Sequence, residues 1–405
     1  MPSALAQQPP LTIVQYAAAA KETDRFGDVP GGSSKLTFGF FGEVGGLLAA
    51  LKKVNRDRLL ESETEVAGEE IGDALWYLVA MAKAQAVDPQ LLGQGCLTSL
   101  RKRFKEGDHG GHGAVNFRQI DGIIDMHGSN LEACRVELLG ELARMSGEVV
   151  GHGSQTQLVL GHPTRVDLFG QLLAILGLVC ASFMLKLEDV ARDNLVKTHG
   201  RWPGPTRAYW RAFDDEFLEH EQLPRVLPME FIEREASGRT YVVQRLHGVH
   251  VGDRLTDNSN EPDDYRFHDV FHLAYVAHLG WSPVIRALLK VKRKSKPAID
   301  ENEDGARAMI IEEGIATWIF NHAKQRRLYE DVEPGKLEYG LLKQVHSMVS
   351  GYEVDACPLW QWEQAILEGF RVFRELRKPA HRGGTVIVNM IDHTLTFQPP
   401  SRTST

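Results

Sequence analysis

The sequence lacks the marks of several protein classes. Its four cysteines, Cys96, Cys134, Cys180 and Cys357, are widely separated and form no CxxC pair, so neither a disulfide framework nor a zinc knuckle is expected. There is no Walker A loop, GxGxxG or GxSxG motif, which argues against P-loop, Rossmann and α/β-hydrolase chemistry. The first ten residues show no basic segment followed by an apolar one, so no signal peptide is expected. We therefore expect a reducing, cytoplasmic setting.

A long uninterrupted apolar run is also lacking. The longest, residues 168–185, contains Gly170, Gln171 and Gly177, and it predicts a buried helix rather than a membrane span. The net charge of −8 argues against general nucleic-acid binding. A small anionic substrate remains compatible with this charge if a metal ion or local basic groups offset it. We therefore expect neither a membrane nor a nucleic-acid partner.

The 405 residues are enough for two or three domains, and hydrophobic periodicity divides them into a helical first half and a mixed second half. Alternating segments within 229–255, and two more near the end, predict a small antiparallel sheet. The predicted fold is mainly α, with tandem helical bundle modules followed by an α+β domain. The predicted boundaries are 1–34 for an N-terminal segment with a short helix, 35–110 and 129–204 for the two modules, 206–398 for the α+β domain, and 399–405 for a disordered tail.

The second helical module repeats the first at a constant offset of 98 residues, without gaps. The matching pairs are Gly42 and Gly140, Glu43 and Glu141, Glu69 and Asp167, Leu75 and Leu173, Leu78 and Leu176, Leu97 and Leu195, and Arg103 and Arg201. Identity is sparse, and amphipathic helices also match by chance. Gapless agreement over three helices nevertheless favours a duplication.

Acidic residues interrupt two predicted helices of the first module. Glu70 and Asp73 are three positions apart and therefore face the same side of one helix, where an antiparallel neighbour could bring Glu43 against them. A carboxylate cluster of this kind suits Mg²⁺, which prefers oxygen ligands and bridges to phosphates. A solvated acidic helix face is the alternative. The apolar character of the rest of the EEIGD helix favours the metal site.

The segments LTIVQYAAAAKETDR, FGFFGEVGGLLAALKK, EEIGDALWYLVAMA and VDPQLLGQGCLTSLRKRF, within Leu11–Phe104, resemble the MazG-type all-α NTP pyrophosphohydrolases. The resemblance implies that Glu43, Glu70 and Asp73 are metal ligands. It makes Glu69 a further ligand or the group that orients the attacking water. Glu69, Glu70 and Asp73 are thus the predicted catalytic residues, with Mg²⁺ or Mn²⁺ as cofactor.

The first module departs from the family pattern at three positions. Gly46 stands where the family usually has a second Glu, and Cys96 and Ser99 stand where the third helix usually has Asn and Lys. Arg103 remains as a candidate phosphate-binding residue.

The second module departs in the opposite way. Leu168 and Gln171 replace the ExxD pair, whereas Asn194, Lys197 and Arg201 resemble the phosphate-binding residues of the family. Our hypothesis is an intramolecular pseudo-dimer in which one module supplies metal ligands and the other supplies phosphate-binding side chains. The alternatives are a second module that only packs against the first, and a homodimer of the whole chain.

The predicted α+β domain carries a second group of candidate ligands. His268 and His272 are four positions apart on a predicted helix and can share a metal, with Asp269 beside them. Glu312 and Glu313 interrupt another apolar helix, and helix pairing could bring them to the histidines. Such a mixed site suits Mn, Fe or Zn better than Mg. Two buried histidines satisfied by hydrogen bonds are the alternative. HDVFHLAY, LGWSP and EDGARA also resemble a region of larger MazG-related proteins.

The favoured functional hypothesis is hydrolysis of a (d)NTP to (d)NMP and pyrophosphate by the first site. Two alternatives stay open. The chain could be a nucleotide-binding sensor or regulator without turnover, as Gly46 and the altered second module suggest. The chemistry could instead take place in the C-terminal domain, at the histidines and the Glu312–Glu313 pair.

Overall fold

The computed structural model describes residues 8–26, 29–57, 62–107, 113–151, 165–204 and 207–400. The chain divides into two compact units, Met1–Gly204 and Pro205–Thr405. Residues 401–405, most of the predicted disordered tail, lie outside the described part, as do residues 1–7 of the N-terminal segment.

The described residues of the first unit form eight α-helices around one hydrophobic core. Their N-terminal caps follow from the sequence, because Thr12 and Ser62 form capping boxes with Gln15 and Glu65. Asp88 caps a helix that has Pro89 at its first position, as predicted. The helices are α1 (Ile13–Thr23), α2 (Gly32–Asp57), α3 (Glu63–Ala84), α4 (Pro89–Phe104), α5 (Phe117–His127), α6 (Arg135–Gly151), α7 (Arg165–Ser182) and α8 (Leu187–Arg201).

Helix α5 was missed by the sequence analysis, which assigned no helix between the two predicted modules. It begins at a capping box of Asn116 and Gln119, and Asn116 forms an antiparallel bridge with Thr12, the cap of α1. Helices α1 and α5 therefore start side by side and hold equivalent places in the bundle.

The packing of the eight helices is repeated. Helix α2 packs on α3 as α6 packs on α7, and α3 packs on α8 as α7 packs on α4. Helix α1 contacts α3, α4 and α8, and α5 contacts the matching α7, α8 and α4. The last helix of each half, α4 or α8, therefore packs against the helices of the other half.

Backbone details repeat at the same 98-residue offset. Ala86 and Met184 both have positive φ, 59° and 60°, at the turn that follows α3 and α7. Close packing of helices also recurs at Gly72 and Gly170: a Cβ on Gly72 would lie 3.1 Å from Asn194 Cβ on α8, and one on Gly170 would lie 2.5 Å from the carbonyl carbon of Gly95 on α4. These features thus repeat at the offset from which the duplication was predicted.

Helix α7, Arg165–Ser182, is long and apolar enough to cross a membrane by length and composition alone. A single helix of this kind is weak evidence for a membrane span. Of its 18 residues, 67% are buried inside the protein, where the helix packs against α3, α4, α5 and α6. The core of the first unit is built around it.

The second unit contains a five-stranded antiparallel sheet in the order β3-β2-β1-β4-β5. Five strands were predicted, and the last two extend the sheet beside β1. The mainly α fold with a small antiparallel sheet is thus confirmed. The strands are β1 (Val226–Ala236), β2 (Arg239–Leu246), β3 (Val249–Leu255), β4 (Thr385–Asn389) and β5 (Thr394–Gln398).

Six α-helices accompany this sheet among the described residues. Every residue of α9 is buried, and Gly369 of α14 lets the two helices approach closely, since a Cβ there would lie 3.2 Å from both Ala274 and Phe271. The helices are α9 (Asp269–Leu279), α10 (Pro283–Leu289), α11 (Pro297–Asn302), α12 (Ala306–Lys324), α13 (Tyr339–Met348) and α14 (Leu359–Leu376). Any site that the polar residues of α9 form therefore lies deep inside the second unit.

Candidate functional site

The predicted acidic residues of the first unit lie on two packed helices. Glu43 is on α2, and Glu69, Glu70 and Asp73 are on α3. Burial, followed by the Asp73 and Glu70 carboxylates, raises the pKa of Glu43 to about 7. Glu43 therefore lies within electrostatic reach of the ExxD pair and lacks full compensation for its charge.

Gly46 leaves room for one of these acids. A Cβ at this position would lie 2.5 Å from Oε2 of Glu70. The carboxylate of Glu70 therefore lies against the backbone of α2, in space that a side chain at position 46 would enter.

Helix α8 brings the polar residues of the second predicted module to these acids. Asn194 Nδ2 donates a hydrogen bond to Asp73 Oδ1 at 3.0 Å. Lys197 Nζ donates to Asp73 Oδ2 at 2.5 Å and to Glu69 Oε1 at 2.9 Å. We call Glu43, Glu69, Glu70, Asp73, Asn194 and Lys197 the acidic site. It is assembled from both halves of the bundle.

Two tyrosines border the acidic site and were not singled out from the sequence. The fully buried Tyr16 hydroxyl donates to Asn194 Oδ1 at 2.9 Å, which fixes the amide with its NH₂ group towards Asp73. Burial and the nearby Glu43 and Asp73 raise the pKa of Tyr77 to about 12. The apolar, alanine-rich surroundings of Tyr16 in α1 were the available signal, because a buried hydroxyl needs a partner.

The two predicted phosphate-binding arginines lie near the C-terminal ends of α8 and α4. Arg201 is buried near the end of α8, with its guanidinium carbon 5.3 Å from the centre of the Trp202 ring. Arg103, on α4, donates to both carboxylate oxygens of Glu141 on α6, at 3.1 and 3.0 Å. The structure therefore groups Arg103 with the second half of the bundle.

Arg103 lines a cavity of about 600 Å³ between α4, α6 and α7. Its polar lining is Thr98, Ser99, Lys102, Arg103, Glu141, Asp167 and Gln171. At the 98-residue offset Glu141 corresponds to Glu43, Asp167 to Glu69, and Gln171 to Asp73. We call this the counterpart cavity, because it holds the place in the second half that the acidic site holds in the first.

The second candidate site lies where α9 begins. One ligand atom each from His268, Asp269 and His272 can be chosen so that all three lie within 4.8 Å of one another, and all three residues are buried. Glu313 Oε2, from α12, is 3.5 Å from His272 Nε2 and 3.8 Å from His268 Nε2. The predicted approach of the Glu312–Glu313 pair to the histidines is therefore seen.

Glu312 serves this cluster differently from Glu313. Its side chain is fully buried, and Oε1 accepts from His272 Nδ1 at 2.8 Å and from Ser282 Oγ at 2.6 Å. Its Oε2 accepts from the backbone N–H of Val284 at 2.8 Å. Burial alone would lower the pKa of His272, but the Glu312 and Glu313 carboxylates raise it well above its usual range. These contacts favour Glu312 as an orienting partner of His272 over its predicted role as a metal ligand.

Comparison with known proteins adds one family. Residues 208–401 match the MazG C-terminal domain. The curated proteins and the solved structures gave no match to the chain. The match covers the sheet and the described helices of the second unit, including the cluster at α9, so the second unit is similar to the MazG C-terminal domain over nearly its whole length.

Proposed function

We propose that the protein is a metal-dependent nucleoside triphosphate pyrophosphohydrolase that converts a (d)NTP and water to a (d)NMP and pyrophosphate at the acidic site. The observation that carries the proposal is the bonding of Asn194 and Lys197 to Asp73 and Glu69. Both halves of an apparent duplication thus contribute to one site. The resemblance of Leu11–Phe104 to MazG-type hydrolases and the MazG-related second unit support the same activity.

The residues of the acidic site fit a hard divalent cation. Three carboxylates, from Glu43, Glu70 and Asp73, are the oxygen donors that Mg²⁺ or Mn²⁺ would take. The pKa of Glu43, raised by burial and then by the neighbouring carboxylates, supports this role, because a bound cation would stabilise the ionised form. When bound, the metal would neutralise phosphate charge and acidify a water molecule.

The remaining side chains have separate tasks in this proposal. Lys197 would turn from Asp73 to a phosphate oxygen when substrate binds, which frees that carboxylate for the cation. Glu69 would accept the proton of the attacking water. Asn194, fixed by Tyr16, holds Asp73 in place. Arg201 would need to approach the phosphates from its buried position beside Trp202.

One observation favours a second candidate function, a sensor that binds nucleotide without turnover. Lys197 already bridges Glu69 and Asp73, so an amine provides part of the neutralisation that a catalytic metal would provide. In a sensor this bridge would persist with nucleotide bound. In an enzyme it would open.

The test is pyrophosphate release from a panel of NTPs and dNTPs with Mg²⁺ or Mn²⁺. Asp73→Asn preserves the side-chain shape but removes the charge, so we expect a loss of at least about 100-fold in turnover. Asp167→Asn is the matched control, because it removes one carboxylate at the counterpart cavity and should leave turnover unchanged.

His268→Ala completes the panel. Loss of turnover only in this variant would move the chemistry to the second unit and contradict the proposal. Nucleotide binding by the wild type without any pyrophosphate release, measured by equilibrium dialysis, would establish the sensor instead.

A further inference from the structure

We infer that the cluster at the start of α9 is a binding site for a transition-metal ion, with His268, Asp269, His272 and Glu313 as ligands. This inference is independent of hydrolysis at the acidic site. It rests on which ring nitrogens are already engaged, on how the carboxylates are held, and on the spacing of the four donors.

The hydrogen bonds of the two histidines orient their Nε2 atoms alike. His268 Nδ1 lies 2.9 Å from the carbonyl oxygen of Tyr265, which can only accept, so Nδ1 carries the proton. His272 Nδ1 donates to Glu312 at 2.8 Å. Each Nε2 is left facing the other ligands. This is the arrangement of metal-binding histidines, whose second nitrogen is held by a carbonyl or a carboxylate.

His272 supplies the observation that points most directly to a ligand. Its side chain has no solvent exposure, and its Nε2 makes no hydrogen bond among the residues that the structure describes. A buried polar atom without a partner is costly, and such atoms mark functional sites or bound ions. The nearest carboxylate oxygen, Oε2 of Glu313, is 3.5 Å away.

The two carboxylates are held in different ways. Asp269 accepts a hydrogen bond from Gln244 of β2 through Oδ2 at 2.8 Å, which leaves Oδ1 3.2 Å from His268 Nε2. Gln244 is itself buried. Glu313 is 44% exposed at its side chain, so it is the ligand that can move aside when an ion enters.

The spacing of the donors matches a coordination sphere. Ligand atoms about 2.1 Å from a metal lie about 3.0 Å apart at an octahedral edge and about 3.4 Å apart at a tetrahedral edge. The separations of 3.2, 3.5 and 3.8 Å are close to these values or slightly longer, so small side-chain shifts would close the site. Two imidazoles and two carboxylates suit Zn²⁺, Mn²⁺ or Fe²⁺ better than Mg²⁺.

A competing arrangement is an ion-paired cluster with no metal. In it, a protonated His272 would donate to Glu312 through Nδ1 and lie against Glu313 through Nε2. The two arrangements differ in one measurable respect, because only the metal site takes up a divalent ion.

The experiment is calorimetric titration of the full chain, freed of metal with EDTA, with Zn²⁺ and separately with Mn²⁺. Excess Mg²⁺ is present throughout to occupy oxygen-only sites. We expect about one ion per chain. We expect His268→Gln to bind it about tenfold more weakly or worse, and Glu313→Gln to weaken it by a smaller factor.

His278→Gln is the matched control. His278 lies on the same helix and is equally buried, but its nitrogens contact the Tyr209 hydroxyl at 3.2 Å and Glu368 at 3.0 Å. The His278→Gln variant should bind the ion with the same affinity as the wild type. Equal uptake by wild type and His268→Gln, or no uptake by the wild type, would overturn the inference.

If His268→Gln fails to fold by circular dichroism, the exposed Glu313→Gln variant decides the question, since full affinity in that variant would also contradict the site. Because the readout is ion uptake, failure here is distinguishable from failure of pyrophosphate release at the acidic site.

Discussion

The acidic site and the counterpart cavity occupy matching places in one bundle but carry different charges. The acidic site has four carboxylates and one amine, and the counterpart cavity has two carboxylates, Glu141 and Asp167, with Lys102 and Arg103. Across the 98-residue offset, Leu168 and Gln171 replace Glu70 and Asp73. The named residues of the acidic site therefore include more acids than bases, whereas those of the counterpart cavity include equal numbers of each.

The two places also differ in which helices supply their polar residues. In the acidic site, α3 gives the acids and α8 gives Asn194 and Lys197. At the counterpart cavity, α7 has Asp167 but carries Leu168 and Gln171 at the positions of Glu70 and Asp73, and α4 has Cys96 and Ser99 where α8 has Asn194 and Lys197. The two halves of the bundle thus supply different polar residues to the acidic site. The following predictions test this difference, from the largest expected effect to the smallest.

Removing the Lys197 charge should have the largest effect. Lys197→Met keeps most of the side-chain volume but removes the cation that bridges Glu69 and Asp73. If this lysine stabilises phosphate charge during reaction, kcat/KM for pyrophosphate release should fall by about 100-fold or more.

Arg103→Met is the control, since it removes a cation at the counterpart cavity, where Arg103 pairs with Glu141. We expect kcat/KM to stay within about twofold of wild type, because exposed ion pairs contribute little. Similar losses of kcat/KM in both variants would mean that the acidic site and the counterpart cavity do not differ in function as proposed.

The two close helix approaches should respond unequally to one added methyl group. In Gly170→Ala the new Cβ would lie 2.5 Å from the Gly95 carbonyl carbon and 2.9 Å from the Cys96 nitrogen, both backbone atoms. Helices α4 and α7 would have to separate. We expect a loss of about 1–3 kcal/mol in the free energy of unfolding, measured by urea denaturation.

Gly72→Ala is the matched substitution in the first half. Its nearest neighbours would be Asn194 Cβ at 3.1 Å, Asn194 Nδ2 at 3.4 Å and Val190 Cγ1 at 3.5 Å, none of them a backbone atom and none closer than 3.1 Å, so only a small shift is needed. Replacing glycine inside a helix also gains up to about 1 kcal/mol. The free energy of unfolding should therefore stay close to that of wild type. A loss as large as that of Gly170→Ala would show that the two contacts are equally rigid.

Local patterns allowed much of the fold to be predicted. Asp88-Pro89 fixed the start of α4, and alternation along 229–255 identified three strands. Helix α5 was missed because its start depends on Asn116, which was not recognised as a cap, and on a partner, Thr12, about 100 residues away in sequence. The order of the five strands is likewise a long-range property that no local pattern encodes.

The residues of the candidate sites could be selected from the sequence, but their hydrogen-bond partners could not. The ExxD and HxxxH spacings selected residues that the fold does bring together. Tyr16 escaped notice because its role depends on reaching Asn194, 178 positions along the chain. Glu312 and Glu313 are adjacent in sequence, yet one is fully buried in hydrogen bonds and the other is 44% exposed, which only tertiary packing decides.

The smallest predicted effect concerns pH and Glu43. Its pKa in the folded chain is about 7, against an ordinary value of 4.5, so the folded state binds this proton more tightly than the unfolded state does. The resulting stabilisation is fully present below pH 4.5 and is lost as the pH rises to about 7. Without divalent cations, the melting temperature should therefore fall between pH 5 and pH 8.

Glu43→Gln should flatten this part of the pH profile, and Glu141→Gln, the matched change at the counterpart cavity, should not. Because Glu43 is only partly buried, we expect an effect of about 1 kcal/mol after solvent screening, or roughly 2–4 °C. Added Mg²⁺ should restore the wild-type melting temperature at pH 8, since the cation replaces the proton that Glu43 has lost. A wild-type profile that matches that of Glu43→Gln would mean that neither burial nor the neighbouring carboxylates raise the pKa of Glu43, and the electrostatic reason for placing a cation there would be lost.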